Sequence, residues 1–166
     1  MSKRSTVTVR AQPLARVASV TGAFEVHAET ISIQTDQRIQ IIDLTERVMA
    51  LVPALGVQEG LLNVFSMHTT CTLFVNEFQR ALVEDFQSFL EHIVAQDAPW
   101  LHNDPAHSDC DRMHADSHLR ALLLGHSLTL PVSGGQVVLG QWQRILMAEL
   151  DGPRPRSLRV QVMGSR

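Results

Sequence analysis

The chain has 166 residues, 45% hydrophobic and 19% charged, which suits one compact domain with a sizeable core. A formal net charge of −3 and a pI near 6.2 exclude the basic face that non-specific nucleic-acid binding needs. Two cysteines cannot frame a disulfide scaffold, no secretory h-region opens the chain, and no apolar run reaches the ~18 residues of a membrane span, so a soluble cytoplasmic protein with reduced thiols is expected.

Apolar/polar alternation with β-branched side chains predicts strands over residues 5–9, 25–33 and 38–41, the second with a phase slip near Glu29 that suits a bulge. Asp43 and Glu46 have the spacing of a helix N-cap, and Leu44, Val48, Leu51 and Leu55 continue it to a stop at Gly56, with Pro53 straining the last turn. Short apolar runs predict buried strands over 60–68 and 71–77. Residues 80–95 carry Leu82, Val83, Phe86, Phe89, Leu90 and Ile93 on one stripe, opposite Glu84, Asp85, Gln87 and Glu91, which predicts an amphipathic helix. A third helix is expected to begin at Asp116 or Ser117 and close at Gly125. Four strands follow, over 127–132, 136–139, 141–150 and 157–163, the first two joined by a Ser133-Gly134-Gly135 turn. The pattern favours an α+β fold: one domain over 1–166, mostly antiparallel sheet of sandwich or barrel type, with two or three helices and residues 1–20 as a loosely attached extension.

The histidines are unevenly spread. Six of the eight fall between His92 and His126, and four lie in LHNDPAHSDCDRMHADSHLR, together with Cys110 and four aspartates. Imidazole and carboxylate are common ligands of divalent cations, and imidazole also moves protons near neutral pH. Such a cluster costs solvation energy and adds little packing, so the chain looks built around a site. His114 and His118, four apart, would share one helix face, though eight histidines produce such a pair easily by chance. His102 and His107 suit ligands, acid/base groups or solvated loop residues, and His68 suits a structural strand end as well as a site. Glu77 could orient a histidine or favour a helix N-terminus by its charge. In Asp151-Gly-Pro-Arg-Pro-Arg156 a stiff turn presents Arg154 and Arg156, whose forks suit phosphate oxygens or surface acids. No phosphate-binding glycine loop, nucleophile elbow or kinase signature is present.

Four blocks in order, MHTTCTLFVNE, WLHND, ADSHLRALLLGHSLTLPV and LGQWQRILMAELDGPR, resemble the YjbQ-like family, long uncharacterised and associated with a secondary thiamine-phosphate synthase activity. The resemblance runs over roughly residues 20 to 163. It implies a compact α+β subunit, assembled as a homotrimer, with polar site positions at His68, Asn76, Glu77, His102, His118, Gly140, Trp142, Gln143 and Glu149. On that basis His68, Glu77 and His118 are expected to be catalytic, and His68, His102 and His118 to hold a divalent metal, Zn or Mg. Asn76, Trp142, Gln143 and Arg154 are expected to bind the substrate, a small phosphorylated metabolite, with neither nucleic acid nor membrane as partner. His107 and His114 have no clear counterpart in the family and rank lower. This chain also departs from the pattern. Trp100 stands where many relatives carry an aromatic hydroxyl, Gln141 stands in a Gly-Thr-Trp-Gln step, and residues 106–114 differ. The implied reaction joins a pyrimidine methyl pyrophosphate to a thiazole phosphate and expels pyrophosphate. A metal-assisted hydrolase of a small phosphorylated metabolite and a non-catalytic trimeric binding protein are the other readings.

Overall fold

A computed structural model describes residues 22–166, so the strand expected over 5–9 and the extension over 1–20 lie outside the described residues. The chain forms β1 (Phe24–Gln34), β2 (Gln40–Asp43), α1 (Thr45–Met49), α2 (Leu51–Leu55), β3 (Glu59–Ser66), β4 (Cys71–Asn76) and α3 (Arg80–Ile93). A 3-10 turn (Leu101–Asn103), α4 (Ala115–Leu124), β5 (Ser127–Ser133), β6 (Gln136–Val137), β7 (Arg144–Glu149) and β8 (Pro155–Ser165) complete it. The fold is α+β. Every strand pair is antiparallel, in a five-stranded sheet of order β1-β8-β3-β5-β6 and a three-stranded sheet of order β2-β7-β4.

The two sheets face each other across the main core. Ile31, Ile33, Leu62, Val64, Leu158 and Val160 from the larger sheet meet Cys71, Leu73, Ile145 and Met147 from the smaller. A second core of Leu90, Ala121, Leu146, Ala148 and Leu150 seals the other side of the small sheet against α3 and α4. β7 is thus buried on both faces, which is why its sequence is a continuous apolar run rather than an alternation. Burying one such side chain is worth about 1.5–3 kcal/mol, so these two layers dominate the stability of the fold.

Several boundaries differ from expectation, each for a local reason. The helix expected from Asp43 to Gly56 is broken in two at Ala50, because Pro53 has no N–H to give to the carbonyl four residues back. Asp43 itself lies just outside α1, where its Oδ1 accepts from the Thr45 N–H and hydroxyl. β1 pairs with β8 in unbroken register, without the bulge expected near Glu29. β3 stops at Ser66, which leaves His68 in the turn to β4 rather than at a strand end. On α3 the inward stripe is narrower than expected. Phe86 tilts against Phe74 at 4.9 Å between ring centroids and Leu90 is buried, but Phe89 and Ile93 are more than half exposed.

Candidate functional site

The site is built from the segment between α3 and α4 and from the turn between β7 and β8. Trp100 Nε1 donates to the Ala95 carbonyl, which folds the segment back, and the 3-10 turn that follows carries His102. Asn103 Oδ1 accepts from the Ala115 N–H, tying that turn to the start of α4. Met113 has φ of 50°, a left-handed conformation costing a non-glycine residue roughly 1–2 kcal/mol, and it delivers His114 to the N-cap of α4. His118 lies one turn further along. α4 cannot rotate freely: buried Asp116 takes both its hydrogen bonds from Arg38 and lies 3.4 Å from Arg120, while Ser117 Oγ donates to the Leu150 carbonyl.

His102, His114 and His118 therefore converge, each with a ring nitrogen within 4.8 Å of the other two. The rings of His102 and His114 stack with centroids 5.4 Å apart, and His118 meets both edge-on at 5.2 and 4.7 Å. His114 Nδ1 donates to Asp151 Oδ2 at 2.9 Å. In the neutral ring this leaves the Nε2 lone pair facing the cluster, 3.3 Å from His118 Nε2. A carboxylate behind a histidine is the usual way a protein fixes the tautomer of a metal ligand. Burial, with His114 and His102 close by, holds the His118 imidazole below its ordinary pKa and keeps it unprotonated at neutral pH.

The same Asp151 oxygen also takes Arg112 at 3.0 Å and Arg154 at 2.9 Å. Two guanidinium groups thus stand one contact from His114, across the shared carboxylate. His102 and His118 open onto a cleft of about 530 Å³ whose other walls are Trp100, Leu101, Ala115 and Leu119, mostly apolar. Behind the site lies a closed polar knot. Buried Glu149 pairs with Arg156, accepts from the Asp151 N–H and from Thr35 Oγ1, and Arg156 also donates to Thr70 Oγ1. The knot holds the backbone that aims Asp151.

The residues singled out in the sequence are not all brought together. His102, His118 and Arg154 are at the cluster or one contact away. His68 stands apart, in a turn beside His126, Phe65 and Met67, and its Nε2 accepts from the Ser157 N–H at 2.8 Å. That nitrogen is spent on the backbone, and burial next to Arg156 lowers the pKa of the ring. Asn76 Oδ1 accepts from the Glu77 N–H at the end of β4. Gln143 Oε1 accepts from the Gly140 N–H and closes the turn that carries the half-exposed Trp142. None of Asn76, Glu77, Trp142 and Gln143 lines the cleft beside the histidines. Conversely, His114, ranked low on resemblance, lies at the centre of the group. Its four-residue spacing from His118 was the signal that pointed to it. Asp151 and Arg112 carried no local signal, because their roles depend on a contact across 37 and 39 residues of chain, respectively.

Comparison with known proteins agrees with the fold. The profile of the family described as UPF0047 protein YjbQ-like matches residues 29–165. A UPF0047 protein of Methanothermobacter thermautotrophicus is 44% identical over 140 residues, 84% of this chain and 94% of that one. The YugU protein of Bacillus subtilis is 29% identical, covering 82% of this chain and 98% of its own. A crystal structure from Sulfolobus solfataricus, described as a YbjQ-like protein of unknown function, superposes with a TM-score of 0.80 at 30% identity, covering 86% of this chain and all of the other. With nearly the whole described fold matched, this chain belongs to the YjbQ-like UPF0047 family.

Proposed function

We propose that this chain is a metal-dependent enzyme acting on a small phosphorylated metabolite, and that its reaction is the formation of thiamine phosphate from a pyrimidine methyl pyrophosphate and a thiazole phosphate. The observation that carries the metal reading is the convergence of His102, His114 and His118 at the mouth of a cleft, with Asp151 behind His114. Three imidazoles with no carboxylate among them suit zinc or a similar transition metal better than magnesium, which prefers oxygen ligands. A cation held there would neutralise phosphate oxygens as the leaving group departs. The reaction itself comes from the family resemblance.

The chain's own residues then have distinct tasks. Asp151 holds the tautomer and orientation of His114. Arg112 and Arg154 supply positive charge for the departing pyrophosphate, a stabilisation that grows as negative charge develops. Trp100, Leu101 and Leu119 form the apolar wall against which a flat heteroaromatic ring stacks while water is excluded. The indole at this cleft is Trp100 rather than Trp142, so stacking is assigned to Trp100.

Thiamine-phosphate formation by purified, zinc-loaded protein, run beside His118→Ala, tests the reading. Product that disappears in the variant supports it. Phosphate release from either precursor alone would replace it with the hydrolase reading, and tight ligand binding without turnover would replace it with a binding protein.

We also propose that the chain assembles as a homotrimer. The support is an apolar row on the outer face of the large sheet. Val26, Met163, Leu61 and Pro131 are directly opposed across β1, β8, β3 and β5, with Phe24 and Phe65 exposed nearby. Sedimentation equilibrium giving a monomer mass at micromolar concentration would remove this proposal.

A further inference from the structure

The loop between the 3-10 turn and α4 brings one more metal-binding side chain to the histidines. Cys110 Sγ lies 3.3 Å from His114 Nε2, the ring nitrogen that also faces His118 Nε2 while Nδ1 is tied to Asp151. The contact is not a stray one. The Cys110 N–H donates to Ser108 Oγ, and Ser108 Oγ in turn sits 3.5 Å from His102 Nδ1, so the loop is tied to the cluster. Cys110 Sγ itself meets the ring of His114 and stands outside the three ring nitrogens that lie within 4.8 Å of one another.

We propose that Cys110 is an exchangeable fourth ligand of the three-histidine site, holding the position that a phosphate oxygen takes when the cleft fills. The inference rests on the metal reading of that site. In the metal-free protein the thiol is placed to donate its S–H to His114 Nε2. A divalent cation held by the three histidines would take the Cys110 thiolate as a further ligand in exchange for water, the thiol proton passing to solvent. Three imidazoles and one thiolate complete the tetrahedral set that zinc favours. The histidines sit on α4 and the 3-10 turn, whereas Cys110 sits on an irregular, partly exposed loop, so it is the ligand that can leave. An incoming phosphate oxygen would then take its place, and the thiolate would regain a proton from solvent.

The chain has only one other cysteine. Cys71 is sealed between the sheets, with burial pushing its thiol up to about 11, so a sulfur signal from this site can be assigned. Cobalt(II) titrated into the metal-free protein reads both levels of the proposal. We expect the visible d–d bands of a tetrahedral site together with a near-ultraviolet sulfur-to-cobalt charge-transfer band. Cys110→Ser should lose the charge-transfer band and keep the d–d bands. Inorganic phosphate, at concentrations that leave the d–d bands in place, should bleach the charge-transfer band. Tetrahedral d–d bands without charge transfer in the native protein would overturn the role of Cys110 and leave the histidine site standing. Absence of any cobalt spectrum would remove the metal reading itself and this inference with it. A charge-transfer band that survives Cys110→Ser, or that saturating phosphate does not touch, would also overturn the proposal.

Discussion

Two polar regions meet at Asp151, in the turn between β7 and β8, and they are opposite in kind. In the Glu149–Arg156 knot both carboxylate oxygens and the guanidinium are engaged with protein partners: Thr35, Thr70 and the Asp151 N–H close around them, and both side chains are almost fully buried. At the histidine cluster the rings turn nitrogens toward one another, 3.3 Å apart between His114 and His118, at the edge of an open cleft. The first arrangement spends its hydrogen-bonding capacity on itself and stabilises the fold. The second gathers three ring nitrogens at one point on the edge of the cleft, where a cation would find its ligands. Asp151 joins the two. Its backbone N–H belongs to the knot and its carboxylate to the cluster.

The comparison breaks if the two regions respond alike to mutation. The largest separation is expected for His102→Ala. Equilibrium dialysis should show the loss of tight zinc binding, while metal-free unfolding in urea shifts by no more than about 0.5 kcal/mol, as for other surface substitutions. A large fall in metal-free stability would mean that the histidines are structural.

Glu149→Gln should lower the metal-free stability itself. It strands buried Arg156, and losing one partner of a buried pair costs about 3–5 kcal/mol, readable as a lower urea midpoint. Unchanged stability would show that the knot does not hold the β7–β8 turn.

Asp151→Asn tests the link between them. The amide no longer fixes the tautomer of His114, and zinc affinity measured by competition with a chelator should fall by roughly 10–100-fold. Wild-type affinity in this variant would sink the role given to Asp151.

The smallest effect is expected at His68, which lies apart from the histidine cluster and beside Arg156 of the knot. Burial and Arg156 set its folded pKa below the ordinary 6.5. The unfolded chain therefore binds the proton first on acidification, so the neutral ring's contribution is complete above about pH 6.5 and is lost as pH falls through the folded pKa. Protonation also ends the acceptance from the Ser157 N–H. His68→Gln should flatten the acid limb of stability against pH, and a slope identical to the native one would refute this account.

Much of this was legible in the sequence, because it depends on short-range pattern. The stripe of Val83, Phe86 and Leu90 placed α3, the Gly56 stop was correct, with φ of 74°, and the strand runs that fall within the described residues were found to within a few residues. Pro53 was recognised as a source of strain but not as a break. Phe89 and Ile93 read as core because periodicity cannot tell how wide a contact the neighbouring sheet offers.

For the site, composition alone located the histidine-rich segment, and resemblance to a known family supplied His102 and His118 while passing over His114. Residue spacing limits which groups can meet along one element, so the His114–His118 pair was visible in advance. Which distant groups join them was decided by tertiary structure. Asp151 reaches His114 because β7 is buried on both faces and ends in the knot, and His68 is left aside because β3 stops two residues before it. Local sequence sets helix faces, strand alternation and chain stops, since these depend on neighbours within a turn or a pleat. Convergence of side chains from separate segments depends on how layers pack, and only the folded chain determines that.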